Sequence, residues 1–313
     1  METNESFENR QNFTAVQDKM EAIKAEIHKV IVGQEKMIEL LLAAILARGH
    51  VLIEGVPGLA KTLTARLLAR CIDADFKRLQ FTPDLMPSDI LGTSVYNFKT
   101  SEFEFKKGPL FTNLVLIDEI NRSPAKTQSA LFEVMEERQI TIEGTKYPMQ
   151  DPYMIIATQN PIDMEGTYRL PEAQMDRFLF RIKIGYPSID EETLMLRNAH
   201  AGNLVDPVSM IQPVLTGDEI REMQKGMKNM HVEEHLFDFI TGIVHKSRSH
   251  ADILLGGSPR ATLAILAGAK ALGLLRGRDF VTPDDILDSV GPVMSHRLLI
   301  TAEKEMEGSK KNL

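Results

Sequence analysis

The chain has 313 residues, of which 43% are apolar and 26% charged, with a formal net charge of −8. That length fits about two domains and that composition excludes wholesale disorder. The acidic balance argues against general binding to nucleic acid or anionic membranes, and a single cysteine, Cys71, rules out an intrachain disulfide.

Residues 1–12 are polar, lack the apolar run of a secretory signal and read as a solvated tail. The longest apolar stretch, Leu40 to Leu46, falls far short of the ~20 residues that span a bilayer, so a cytoplasmic location is expected. Phe13, Val16, Met20, Ile23 and Ile27, then Met37, Leu41 and Ile45, recur at helical spacing. Gly33 breaks that run, which predicts two helices joined at Val32-Gly33-Gln34. A strand follows from His50 to Glu54, then a glycine-rich turn and a helix through Arg70. Further strand-length apolar runs are Phe76 to Phe81, Leu114 to Asp118, Tyr153 to Thr158 and Phe178 to Ile184. Helical patterns separate most of them, which argues for a parallel sheet covered by helices on both faces. Two alternating stretches, between Leu91 and Phe111 and from Gln139 to Tyr147, read as projecting hairpins.

After Tyr186-Pro187 helical patterns take over: Ile189 to Asn198, Leu236 to Arg248, Arg260 to Arg276, and Pro283 to Val290 behind the N-cap Thr282. The expected division is an α/β core over 13–186 and an all-helical domain over 187–313, with a frayed charged end.

The first strand runs into Gly55-Val56-Pro57-Gly58-Leu59-Ala60-Lys61-Thr62. This is the spacing of a phosphate-binding loop, with Ala60 in place of the usual second glycine. Backbone N–H groups would turn inward around a phosphate at a helix N-terminus. Lys61 would supply charge to the β- and γ-phosphates, and Thr62 a hydroxyl for Mg²⁺. Ala60 fits this loop if its φ is negative. Downstream, the apolar strand Leu114 to Ile117 ends in Asp118 and Glu119. Asp118 suits water-mediated Mg²⁺ binding and Glu119 suits a general base.

The strand Tyr153 to Thr158 ends in Gln159-Asn160-Pro161, where Asn160 could orient an attacking water. Arg177, in Asp176-Arg177-Phe178, has no evident use within its own chain but suits an arginine finger acting across a subunit interface. Arg260, at the start of a helix in the second domain, could reach back to the γ-phosphate. Taken singly, each of these three residues is equally at home in a turn or a surface ion pair.

In this order the motifs GVPGLAKT, LIDEINR, ATQNP, LPEAQMDRF and GGSPRA resemble those of the AAA+ ATPases, and more closely the MoxR family, from about Val30 to about Leu299. Alanine before the loop lysine is usual in that family. The resemblance implies an α/β P-loop NTPase core whose five-stranded parallel sheet has the order 5-1-4-3-2, followed by a helical lid. It implies ATP and Mg²⁺ as ligands. Lys61 and Thr62 take the Walker A roles, Asp118 and Glu119 Walker B, Asn160 sensor 1, Arg177 the finger and Arg260 sensor 2. Gly33 and Gln34 fall in the segment that lines the adenine pocket. It further implies homo-oligomers, typically hexameric rings, that act on protein clients with von Willebrand factor A domain partners.

The leading expectation is therefore an ATP-hydrolysing machine that remodels protein. A nucleic-acid motor and a nucleotide-switched regulatory subunit with little turnover are the alternatives. The net charge of −8 and the absence of tryptophan oppose the first alternative, and Glu119 opposes the second. His231, Glu234 and His235 match H-x-x-E-H, but no third zinc ligand suggests itself.

Overall fold

A computed structural model describes residues 2–160, 168, 170–200 and 206–306. Pro161 and the charged end beyond residue 306 lie outside the described residues.

Five strands form the central sheet: β1 (Val51–Glu54), β2 (Phe76–Gln80), β3 (Leu114–Asp118), β4 (Met154–Gln159) and β5 (Phe180–Lys183). All pair in parallel, in the order β5-β1-β4-β3-β2, which is the order the family resemblance implied. The central strands β1, β4 and β3 are buried almost throughout, as a parallel sheet covered on both faces requires. β2 is an edge strand, and its exposed Lys77, Arg78 and Gln80 give that edge polar side chains.

The longer helices of the core are α1 (Glu2–His28), α2 (Glu35–Leu46), α3 (Lys61–Cys71) and α4 (Ala125–Glu137). α1 begins inside the stretch expected to be a tail. No glycine or proline lies between Glu2 and His28, so nothing in the local chemistry stops the helix there. One apolar cluster packs Met20, Ile23 and Ile27 of α1 and Leu41 and Ile45 of α2 against the sheet, and it continues into Ile265 and Leu272 of the C-terminal part. A second cluster, with Phe81, Val115, Leu131, Phe132 and Phe178, fills the other face beneath α4.

Both expected hairpins are present, as Gly92–Asn97 with Glu102–Lys107 and Gln139–Ile142 with Thr145–Pro148. The second turns at Glu143 and Gly144, both at positive φ (49° and 83°), the backbone that two-residue hairpin turns favour.

The C-terminal part comprises α5 (Ile189–His200), α6 (Gly217–Gly226), α7 (Glu234–Ser249), α8 (Pro259–Leu275) and α9 (Pro283–Met294). It also holds a small antiparallel ribbon, Ile253–Leu255 with Leu299–Ile300, that the sequence reading did not contain. These segments are too short for alternation to register. α6 was missed as well; its Thr216–Glu219 capping box is its sequence signature.

Two arginines fasten this part to the sheet. Arg297, only 4% exposed at its side chain, donates to Asp176 Oδ1 (2.6 Å) and to the Phe178 carbonyl (2.7 Å). Arg181 of β5 donates to Glu54 Oε2 (2.6 Å) and to the Ser295 carbonyl (2.8 Å). Within the lid, fully buried Asp285 accepts from Arg276 Nη1 (2.8 Å), Arg278 Nη2 and the Thr282 backbone N–H (2.9 Å).

Removing one member of a buried ion network strands its partners and typically costs about 3–5 kcal/mol. Arg276 keeps Asp288, so the lower end applies to Asp285→Ala. Thermal unfolding should show a midpoint several degrees below wild type; an unchanged midpoint would remove the network from the account of lid stability.

Candidate active site

The loop Gly55 to Thr62 leaves β1 at its C-terminal end and enters α3 at Lys61. Gly58 sits at φ +89°. Ala60 sits at φ +55°, which overturns the expectation of a negative φ. The loop reverses into α3 through a left-handed N-cap residue, and Ala60 accepts that conformation at a cost of about 1–2 kcal/mol. Its carbonyl receives the Thr64 N–H (2.8 Å), so the strained residue also starts the helix. Gly55 is held close to the exit of β5: a Cβ there would lie 3.0 Å from the Ile184 carbonyl oxygen.

A cavity of about 420 Å³ opens over the loop. Its walls are Pro57, Gly58, Leu59, Ala60, Lys61, Thr62 and Leu63 from the loop and α3, Asp118 and Glu119 after β3, and Thr158 and Asn160 from the end of β4. Arg78 and Gln80 of β2 complete it. Motif residues far apart in sequence thus converge because β1, β4, β3 and β2 are neighbours whose C-terminal ends share one edge.

Lys61 Nζ donates to the Gly55 carbonyl (2.6 Å), folding the side chain back over the loop. Burial lowers the Lys61 pKa from its ordinary value, and the negative charges of Asp118 and Glu119 oppose that shift. Asp118 is 8% exposed and fully engaged. Its Oδ1 accepts from Thr158 Oγ1 (3.1 Å), and its Oδ2 accepts from Arg78 Nε (2.6 Å) and, at 3.5 Å, from Thr62 Oγ1. Glu119 stands at φ +57° just beyond the strand. Gln80 Nε2 donates to its Oε2 (2.6 Å), Arg122 Nε lies 3.1 Å from the same oxygen, and its backbone N–H donates to Thr158 Oγ1 (3.1 Å).

Thr62 and Asp118 present hard oxygen donors to a common point. That donor set suits Mg²⁺, which takes one or two protein ligands and keeps its waters. Occupation by the ion requires Asp118 Oδ2 to exchange its contact with Arg78.

Arg78, Gln80 and Thr158 were not singled out from the sequence. The available signal was register: Arg78 and Gln80 lie on one face of β2, and Gln80 is level with Asp118.

Six expected site residues are not among the walls of this cavity: Gly55 and Val56, at the foot of the loop, and four that lie farther off. Arg177 has partners in its own chain, contrary to expectation: Nη1 donates to the Phe132 carbonyl (2.5 Å) and pairs with Glu136 Oε2 (3.7 Å). Arg260 donates to the same carboxylate, Glu136 Oε1, at 2.7 Å rather than lining the phosphate cavity. Gly33 and Gln34 form the left-handed turn before α2, outside the lining of this cavity. For the set-aside zinc pattern, His231 Nε2 instead meets Glu233 Oε1 (2.9 Å), and among the described residues no group of three metal-ligating side chains gathers.

Comparison with known proteins agrees with this fold. A family model for the ATPase family associated with various cellular activities (AAA) matches residues 50–180, and one for the AAA lid domain matches residues 245–312. The chain is 46% identical over 282 residues to the uncharacterised protein YeaC of Bacillus subtilis, covering 90% of this chain and 87% of that protein. It is 45% identical over 285 residues to chaperone MoxR1 of Mycobacterium tuberculosis, covering 88% and 74% respectively. A solved structure of a candidate ATPase from Cytophaga hutchinsonii superposes with a TM-score of 0.88 at 41% identity, covering 98% of this chain and 94% of that one.

Lys61→Ala removes the one cation of the loop and leaves phosphate charge uncompensated. Titration with ATP should show affinity reduced by at least tenfold. Unchanged affinity would reject the loop as the phosphate site.

Proposed function

The chain belongs to the MoxR family of AAA+ ATPases, and on that premise we propose that it hydrolyses ATP to ADP and phosphate to remodel protein partners as a cytoplasmic ring-shaped homo-oligomer. The observation that carries the reading is the convergence of Lys61, Thr62, Asp118 and Glu119 on one cavity.

In this proposal the loop N–H groups and Lys61 hold the β- and γ-phosphates. Thr62 and Asp118 would hold Mg²⁺, which when bound neutralises charge on the phosphate oxygens. Glu119 takes a proton from the attacking water, and Asn160, from the end of the neighbouring strand, orients that water. Gln80 and Arg122 grip one oxygen of Glu119 and so fix where the carboxylate stands. Thr158 is a positioning residue, since its single hydroxyl bonds to both the Asp118 carboxylate and the Glu119 backbone.

The position of Arg177 supports a role in trans. It is held by Phe132 and Glu136, away from the phosphate cavity of its own chain. Head-to-tail contacts that bring such an arginine to a neighbour form a ring when their rotation closes, and a closed ring of six subunits is our proposal for this one. Protein clients are supported by the hairpin Gly92–Asn97/Glu102–Lys107. On it Tyr96, Phe98 and Phe103 are exposed, with ring centroids 5.3 and 5.2 Å apart from the central Tyr96. Such an apolar cluster on a projecting ribbon suits side chains of another polypeptide. A von Willebrand factor A domain protein is the partner class we propose.

Glu119→Gln should bind ATP as wild type does while steady-state turnover falls on the order of 10²-fold or more. Loss of binding with normal turnover of the remaining complex would remove the general-base role.

Turnover per subunit should rise with protein concentration, because an arginine supplied in trans is worth about 10³–10⁵ in rate. Mixing Arg177→Ala with Lys61→Ala subunits should restore part of the activity, since an intact loop then faces an intact arginine across one interface. Flat activity on dilution, with dead mixtures that nevertheless form mixed oligomers, would return Arg177 to a purely intrachain ion pair.

A further inference from the structure

Arg78 is an edge-strand arginine that reaches into the phosphate cavity. It shares one face of β2 with Gln80, and both side chains line that cavity. Its Nε donates to Asp118 Oδ2 (2.6 Å), and its Nη2 donates to Gln80 Oε1 (3.3 Å). The side chain is 54% exposed, so water offsets what the guanidinium loses on leaving these contacts.

The two oxygens of Asp118 have different surroundings. Oδ1 accepts from Thr158 Oγ1 (3.1 Å), the hydroxyl that also receives the Glu119 N–H. Oδ2 faces Thr62, whose Oγ1 lies 3.5 Å away. The two hard oxygens that converge are therefore Oδ2 and the Thr62 hydroxyl, and Arg78 sits on one of them. Lys61, another cation of the cavity wall, turns instead to the Gly55 carbonyl (2.6 Å).

A guanidinium and a hard divalent ion compete for the same lone pairs. Mg²⁺ takes oxygen ligands in near-octahedral geometry and reaches a carboxylate directly or through one of its waters. Arginine stays charged throughout the working pH range, so it cannot make room by losing its proton. Two cations on one oxygen repel each other at a separation well below the screening length of salt. Arg78 has to swing away before the ion is held, and its long, half-exposed side chain can do so. Toward a nucleotide that carries no metal the same guanidinium has the opposite effect, because it masks the Asp118 charge that repels phosphate.

We propose that Arg78 sets the metal dependence of nucleotide binding: its guanidinium and Mg²⁺ exclude each other at Asp118 Oδ2, so that it opposes the metal-loaded nucleotide and favours the metal-free one. This rests on the nucleotide-binding reading above and adds a regulator to that site.

The test is equilibrium binding of ATP to the full chain, with saturating Mg²⁺ and separately with EDTA, as wild type, Arg78→Gln and Arg78→Lys. Glutamine removes the charge and suits the strand, since Gln80 already stands on the same face. Arg78→Gln should bind ATP about threefold to fivefold more tightly with Mg²⁺, and more weakly by a similar factor in EDTA, the scale of a half-exposed ion pair. Arg78→Lys keeps a cation and should stay within about twofold of wild type in both conditions. The opposed signs are the signature of exclusion. An arginine that only grips phosphate would, when replaced, weaken ATP in both conditions. One that only steadies the strand would shift both alike or neither. Either result overturns the assignment. If wild type binds ATP equally with and without Mg²⁺, the reading of Thr62 and Asp118 as metal ligands fails first; if it binds no ATP at all, the phosphate-loop reading fails first. The role of Arg78 falls with either.

Discussion

The cavity over the phosphate loop depends on supplying hydrogen-bond donors to a nearly buried carboxylate at the end of an apolar strand. Asp118 closes β3, whose preceding residues are all fully buried. Taking a carboxylate out of water is costly unless donors replace the lost hydration. The donors come from both neighbouring strands and from the phosphate loop: Thr158 from β4, Arg78 from β2 and Thr62 from α3. Strand order is therefore part of the chemistry. An acid at the end of β3 is tolerable because β4 and β2 flank it in register. The same arrangement leaves Gln80 level with Asp118 and able to hold Glu119.

A second consequence concerns the lid. The short segment Asp176-Arg177 is where the core and the C-terminal part exchange charge. Asp176 accepts from Arg297 Nε (2.6 Å) and from Ser258 Oγ (3.1 Å), while Arg177 and Arg260 share the Glu136 carboxylate. Ser258 caps α8, and its side chain accepts from the Arg260 backbone N–H. A shift of α8 relative to the sheet thus alters both the support of Asp176 and the partnership of Arg177. If Arg177 serves a neighbouring subunit, this cluster is a direct physical route between lid position and that neighbour's site.

The sheet, both hairpins and most helices were legible because their signals are local: buried parallel strands are continuous apolar runs, and lid helices carry N-caps and a 3.6-residue period. The loop, the acidic pair and Asn160 were legible because each needs a particular residue at a strand's end. Arg78 and Gln80 were not, since their meaning comes from being opposite β3, which periodicity within β2 does not reveal. Arg177 and Arg260 were legible as motif positions but not in their contacts, because Glu136 belongs to a helix surface with no motif of its own. Ala60 misled for a different reason. Alanine in a slot usually held by glycine suggested a relaxed backbone, yet the loop imposes its left-handed turn on whichever residue stands there.

That imposed conformation recurs at two other helix starts. Gln34, Ala60 and Glu119 are all non-glycine residues at positive φ, between 55° and 62°. Each stands at the N-cap of a helix or 3-10 turn: Gln34 before α2, Ala60 before α3, and Glu119 before the turn Ile120–Arg122. A left-handed residue in that place bends the incoming chain sharply and turns its backbone toward the space in front of the helix. For Ala60 that space is the phosphate cavity, and for Glu119 the bend swings a carboxylate past the end of β3 into the same cavity. Unstrained N-caps elsewhere in the chain, such as Thr216 and Thr282, instead sit in extended conformation and spend their side chains on capping. The contrast separates helix starts that use a side chain as cap from those that use a left-handed bend of the backbone. Gln34 falls with the second group on backbone geometry.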